Sequence, residues 1–305
     1  MQSKTMDAPI YNKKKKLKPQ WISHTIAMLF AVICIIPFII VISSSLTNEF
    51  ALNENGFQLW PSEFDTTAYQ YIFKNPDSII RSYIVTIIIT VATTVFGVLF
   101  MAMIAYPLSR RNCSFRRPLS FYIFFTMLFS GGLVPSYILT TQYLKLKDNI
   151  LVLIIPSLIN AFYIIMIRTF FQKLPDSLFE SAKIDGASEF RIFFGIAMPL
   201  SVPVLASVAF FTAMGKWNDW YTPMLYINKE ELVPLQYMLY RIQNNLQVLL
   251  SAMTNVSGIT VDPHSLPGNN LIMAMAVVAA GPMMFVFPFF QRYFVQGLTV
   301  GAVKG

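Results

Sequence analysis

Six long apolar runs constrain the fold of this chain more than any other feature. They are Ile22 to Leu46, Ile79 to Leu108, Leu119 to Leu139, Ile150 to Phe171, Ser201 to Ile227 and Leu271 to Phe294. A helix of roughly 20 apolar residues matches the thickness of a bilayer's hydrocarbon core. Hydrocarbon offers no water to backbone N–H and C=O groups, so a crossing segment must satisfy them itself, as a helix does. The sequence therefore predicts an all-α, polytopic membrane protein with six transmembrane helices. Composition agrees: 55% of residues are hydrophobic and 12% charged, where a soluble domain carries roughly 25% charged residues. The two cysteines, Cys34 in an apolar run and Cys113 in a basic loop, give no disulfide framework.

Sidedness follows from lysine and arginine. The arm of residues 1–21 carries Lys4, Lys13, Lys14, Lys15, Lys16 and Lys18, and the loop after the second run carries Arg110, Arg111, Arg116 and Arg117. Both belong in the cytoplasm. The loop after the first run is acidic, with Glu49, Glu54, Glu63, Asp65 and Asp77 against Lys74, and belongs outside. Six crossings then leave both termini cytoplasmic. The net charge of +8 reflects this orientation and contact with anionic lipid, not nucleic acid. The first run is too long for a cleaved signal peptide, and no small-residue cleavage site follows Leu46, so it reads as a retained signal anchor.

Residues 174–200 form a polar break between the fourth and fifth runs. Ser177 and Glu180 have capping-box spacing, Gly186 is placed to end a helix in a left-handed turn, Ser188 can cap a second helix, and Pro199 is expected to stop it at Met198. This helix–Gly–helix element closely resembles the EAA loop of ATP-binding-cassette importer permeases. The resemblance implies a cytoplasmic coupling helix that docks on an ATPase subunit through Glu180, Ser181, Ala182, Asp185, Gly186, Ala187 and Ser188. Ser181 departs from the alanine usual in the family, and its small size leaves docking intact.

Two further stretches resemble the carbohydrate permeases of the maltose-transporter class: Gly131 to Tyr137, like the third-span signature, and Gly297 to Gly305, like the C-terminal tail. The second resemblance implies that Val303, Lys304 and Gly305 reach toward the ATPase dimer. Near the outer end of the fifth run lies Lys216-Trp217-Asn218-Asp219-Trp220-Tyr221. Trp217 falls about 24 Å along a helix begun at Ser201. Aromatic faces beside amides suit a sugar, whose C–H faces stack while its hydroxyls hydrogen-bond, and the Trp-Asn pair resembles that of the same class. Trp217 and Asn218 are expected to face the solute, with Asn160 and Tyr163 as further candidates. For Trp220 and Tyr221 an interfacial aromatic belt is the competing reading. Lys216 either meets an acidic sugar or pairs permanently with Asp219, three residues on.

Gly131-Gly132, Pro135, Pro156, Pro282 and Pro288 interrupt their runs, which serves either close packing or motion. The outer segment 228–270 carries a helical stripe, Leu235, Met238, Leu239, Ile242, Leu246, Leu249 and Leu250, that could lie on the membrane, cover a pore mouth or meet a binding protein. Arg168, late in the fourth run, reads as snorkelling to the inner surface. No catalytic motif and no Walker sequence is present, and Asp262 with His264 supplies too few ligands for a metal.

The resemblance thus implies a non-catalytic permease domain, residues 22–305, of an ATP-driven oligosaccharide importer in a bacterial cell membrane. It needs no cofactor of its own, since ATP and Mg would sit on the partner ATPase. Its partners would be a second permease subunit, forming a heterodimer, a cytoplasmic ATPase dimer and an extracellular solute-binding protein. A peptide permease of the same type is the near alternative. An ion-coupled secondary transporter is the distant one, and it would call for acidic residues deep in the spans, where the sequence has none.

Overall fold

The computed structural model describes residues 20–74, 76–255 and 268–302. The basic arm before Gln20, the Asp262 and His264 pair and the tail Val303 to Gly305 lie outside them. Among the described residues every extended element is helical, with a single isolated bridge, Thr47 to Phe64.

The first apolar run is α1 (Gln20–Ser45), exposed along most of its length and packed along the last helix. Two short outer helices follow, α2 (Glu49–Asn55) and α3 (Thr67–Ile72). The second run is α4 (Pro76–Ser109), the central helix of the bundle. The third run is not one helix. It folds as α5 (Arg116–Leu128) and α6 (Leu133–Ile138, extended by a wider turn to Tyr143), bent by 111°. Gly132 makes the corner at φ +89°, a conformation open to glycine and costly for residues with a Cβ. The fourth run divides into α7 (Leu151–Ile154, continued by a tight turn to Ser157) and α8 (Ala161–Phe171), bent by 46°.

The polar break forms α9 (Asp176–Ile184) and α10 (Glu189–Ile192), continued by a wide turn and α11 (Met198–Leu200). An 80° bend at Ser201 then leads into α12 (Val202–Trp217). The stop expected at Met198 thus falls two residues later, at Leu200. Pro199 occupies the opening turn of α11, where its missing N–H costs nothing, and Pro203 does the same for α12. The fifth run also ends early. After Trp217 the chain turns and resumes as α13 (Tyr221–Tyr226). The outer segment contains α14 (Leu235–Asn255), and the last run is α15 (Asn269–Ala302), helical straight through Pro282 and Pro288. Three helices are individually long and apolar enough to cross a membrane, and the three bent pairs could supply more crossings.

The core lies where α4, α8, α10 and α12 meet, around Met101, Ala105, Ile167, Phe171 and Val208. Gly97 of α4 allows this approach, since a Cβ there would stand 3.3 Å from the carbonyl oxygen of Leu158. In lipid the association of helices rests on such close packing and on hydrogen bonds. The Oγ1 of Thr86 on α4 accepts the amide of Leu235, 2.9 Å away, which seats the start of α14 against the bundle. Met238, Leu239 and Ile242 continue the contact onto α3 and α15, so this half of the stripe packs on the spans. Side chains at Leu246, Leu249 and Leu250 are outside the described set.

Candidate functional site

The polar break builds its first helix without the expected capping box. Pro175 precedes α9 and makes no side-chain cap, because the helix begins at Asp176. That start leaves Ser177 inside the first turn and Glu180 in the middle, while Asp176 places a carboxylate at the positive end of the helix. The other end follows expectation. Gly186 has φ +75° and donates to Lys183 at 3.0 Å, while Ala187 donates to Ala182 at 2.9 Å. These two bonds form a Schellman motif and satisfy carbonyls otherwise left open at a helix end. Ser188 caps α10, its Oγ accepting the amide of Arg191 at 3.3 Å.

One buried side chain, Phe179, holds α9 to the body of the protein. Glu180, Ser181, Asp185, Gly186 and Ser188 are exposed, and Ala182 and Ala187 are half-buried against the core. Ile184, at the last turn, is 87% exposed although apolar. A cavity of about 540 Å³ opens between α9 and the C-terminal end of α4, lined by Tyr106, Arg110, Phe179, Lys183 and Glu189 among others. Lys183 Nζ lies 2.7 Å from Glu189, and Tyr106 donates to the same carboxylate at 3.0 Å. Arg110 sits over the Phe179 ring at 3.5 Å, and burial lowers its guanidinium from the usual value, with charged neighbours opposing. The motif reading missed this group. Phe179 carried the signal, as the apolar residue beside Glu180 in a polar stretch.

At the far end of α12 a second cavity, about 350 Å³, lies between α12, α14 and α15. Asn218, Gln236 and Gln243 supply amides to its wall, and Trp220 and Tyr240 supply aromatic faces. The two rings stack at 4.4 Å with 21° between their planes. Gln236 donates to Asn218 Oδ1 at 3.3 Å, and Asn218 donates to the carbonyl of Met214 at 2.9 Å. None of the described lining residues is charged.

Of the residues expected to face a solute, the structure brings only Asn218 to this cavity. Trp217 is turned inward and 5% exposed, donating Nε1–H to the carbonyl of Ala279 at 3.0 Å and packing α12 on α15. Neighbouring helical positions point about 100° apart, so Trp217 and Asn218 cannot share a wall. Lys216 is buried and its Nζ lies 2.8 Å from Asp219 Oδ2, while Asp219 Oδ1 accepts the amide of Thr222 at 3.0 Å. The lysine is thus committed to its neighbour. Asn160 caps α8 by accepting the amides of Phe162 and Tyr163, and Tyr163 stacks on Phe211 at 6.4 Å. Neither lines the Asn218 cavity. Trp220, for which an interfacial belt is the competing reading, lines the cavity, and Tyr240, Gln236 and Gln243 join it only once α14 folds back. Arg168 donates Nε–H to the carbonyl of Leu108 at 3.2 Å, so it ties α8 to α4.

Elsewhere, Asp148 accepts the backbone amides of Asn228 and Lys229, and these bonds hold its carboxyl below the usual value. They pin the loop after α6 to the chain leaving α13.

Residues 78–300 match the model of the family described as binding-protein-dependent transport system inner membrane component. The chain is 41% identical to protein LplC of Bacillus subtilis (strain 168) over 273 residues, 90% of each chain. It is 40% identical to the polygalacturonan/rhamnogalacturonan transport system permease protein YtcP of the same organism, across 91% of this chain and 95% of that one. Among solved structures, a chain of a bacterial ABC transporter involved in the import of the acidic polysaccharide alginate superposes with a TM-score of 0.76 at 28% identity, covering 94% of this chain and all of that one.

Proposed function

The chain belongs to the family of binding-protein-dependent transport system inner membrane components, and from that premise we propose that it is the permease subunit of an ATP-driven oligosaccharide importer in a bacterial plasma membrane. In this reading α1, α4, α15 and the three bent pairs make six crossings, with both termini, the 110–117 loop and α9 in the cytoplasm. The observation that carries the reading is the form of α9. It is a polar helix, exposed apart from the anchor Phe179 and the half-buried Ala182, and it lies beyond the end of α12 opposite the Asn218 cavity. A helix so placed has surface to offer a partner and a short mechanical route into the bundle.

The partners are a second, related permease in a heterodimer, two ATPase subunits that carry ATP and Mg, and an extracellular binding protein. Glu180, Ser181, Asp185 and Ser188 face the ATPase, with Ala182, Gly186 and Ala187 holding the turn and the tail Val303, Lys304 and Gly305 approaching the ATPase dimer. Closure of the ATPases around ATP displaces α9 and favours one of two arrangements of the spans, which is alternating access. Only differential contact of the ATPases with those two arrangements can shift their populations. The solute passes Asn218, whose amide works with Gln236, Gln243 and the Trp220–Tyr240 stack on a sugar's hydroxyls and C–H faces. Names of two relatives concern polygalacturonan with rhamnogalacturonan and alginate, which supports a polysaccharide-derived solute.

The test is uptake into inside-out-controlled membrane vesicles containing the whole transporter and binding protein. Oligosaccharide accumulation should require ATP and survive an ionophore. Uptake that the ionophore abolishes with ATP present would replace this reading with an ion-coupled one.

A further inference from the structure

We propose that Arg110 is the positioning residue through which displacement of α9 enters the bundle. The inference rests on the coupling reading of α9 and names the joint that reading requires. Arg110 follows directly on the inner end of α4, the helix that packs along both α8 and α12. Its guanidinium meets groups from α4, α8 and α9. The Phe179 ring lies 3.5 Å beneath it, and the Tyr106 ring 5.4 Å away. Nη2 donates to the carbonyl of Phe171 at 3.1 Å, at the end of α8. Nη1 stands 3.7 Å from Asp176 at the start of α9, and Nε donates to Ser109 Oγ at 3.2 Å.

Phe179 is the one buried side chain of α9, with Ala182 half-buried beside it, so a push on the helix reaches the protein mainly through that ring. The ring is held between the guanidinium and the core. Two chemistries act at once there. The flat cation rests on an aromatic face, an attraction that strengthens where water is excluded. Its planar fork also reaches a backbone carbonyl and a carboxylate in fixed directions, which a lysine cannot reproduce. The Lys183–Glu189–Tyr106 chain is a second attachment, nearer the C-terminal end of α9, and it too ends on the last turns of α4. Movement of α9 is therefore delivered to the stretch from Tyr106 to Arg110, and through Phe171 to the end of α8.

The experiment uses the complete transporter, with both permeases, ATPase subunits and binding protein, reconstituted in lipid. Variants are Arg110→Ala, Arg110→Lys and Arg110→Gln, with Gly186→Leu beside them. Three quantities are read: ATPase subunits recovered with the permease, basal ATP hydrolysis, and the increase in hydrolysis and uptake on adding binding protein and sugar. We expect Arg110→Ala to keep ATPase subunits and basal hydrolysis within twofold of the native complex. Its stimulated hydrolysis and uptake should fall at least tenfold. Arg110→Lys should lose about threefold, and Arg110→Gln should resemble alanine. Native stimulation in Arg110→Ala overturns the proposal, as does parallel loss of stimulation and ATPase recovery, since the residue would then serve docking. If the alanine protein does not reach the membrane, the lysine and glutamine variants decide by the same two criteria. Full stimulation in Gly186→Leu would instead remove the coupling reading. Loss there with none at Arg110 removes only the joint.

Discussion

Ile184 offers the cleanest separation of docking from folding. It ends α9 with 87% of its surface exposed, at the tip of the helix assigned to the ATPase. Truncation to alanine deletes three carbon groups that touch little in the isolated chain. Burial of each contributes about 0.8 kcal/mol, so full enclosure in an ATPase groove would make their removal cost ~2 kcal/mol. At 1.4 kcal/mol per factor of ten, that is about a 30-fold weaker complex. Folding should hardly respond, because an exposed substitution shifts stability by ~0.5 kcal/mol or less and alanine is the better helix former. The assay is titration of ATPase subunits onto the permease pair in lipid nanodiscs, with thermal unfolding of the pair alone measured in parallel. Ile184→Ala should raise Kd about 30-fold at unchanged Tm. A change in Kd below threefold would place this side chain outside the contact and refute the reasoning. An equal effect on Tm would show that the residue packs within the permease itself.

Three other outcomes are expected. With Cys34 and Cys113 replaced, a single cysteine at Asn53 should react with an impermeant reagent on intact cells, and one at Asn112 only after permeabilisation; the reverse pattern would invert the orientation. Gly186→Leu meets no neighbour within 4 Å, so its harm is in the backbone: a left-handed residue with a Cβ costs ~1–2 kcal/mol, and the Schellman turn that aims α10 should loosen. Stimulated ATPase activity should fall several-fold with permease levels unchanged, and full stimulation would exclude the turn from coupling. Lys216→Gln leaves the part-buried Asp219 beside a neutral partner, a change that costs less than the ~3–5 kcal/mol of breaking a fully buried pair. Acidic and neutral oligosaccharides should lose uptake equally, and Lys216→Gln combined with Asp219→Asn should recover membrane levels; selective loss of acidic sugars would instead bring the lysine to the solute.

Much of the architecture was legible because hydrophobic length and chain chemistry act locally. Pro76–Ser109 follows from an uninterrupted apolar run, and the bend at Gly132 from a glycine where the backbone needs positive φ. The Gly186 turn was equally legible, since Gly186 is the one glycine from Glu180 to Phe190 and no other residue there takes that conformation cheaply. Starts and stops of helices were harder. A Ser-x-x-Glu spacing fits a capping box wherever it occurs, but Pro175 fixes the chain direction so that the helix begins earlier. Pro199 excludes an amide from the ladder, yet α11 starts beside it and needs none there. The Arg110 joint was illegible in a different way. Its parts come from residues 106–110, 171, 176–183 and 189, and no local pattern links them before α4, α8 and α9 pack.

The stretch Lys216 to Asp219 shows how far geometry could have corrected the motif. On an unbroken helix four successive residues would sweep about 300° around the axis, so the spacing alone says that a single wall could not hold them all, even before α12 ends at Trp217. Two demands then compete for the faces. A lysine at membrane depth needs a carboxylate more than any other side chain in reach, and Asp219 is the acidic residue three positions on. That pairing takes the lysine out of the cavity and turns its carboxylate onto the start of α13. Trp217, the largest apolar surface of the four, goes where packing gains most, and its indole N–H finds the Ala279 carbonyl on α15. Asn218 is what remains, at the end of α12 where the helix stops and an amide can point across the gap to Gln236. Its aromatic partner must then come from elsewhere. Trp220 lies beyond the turn, and Tyr240 is brought onto it by the return of α14. The sugar-compatible chemistry read in the adjacent Trp-Asn pair is thus present in the fold, but its aromatic half is assembled by a long-range contact across the outer segment.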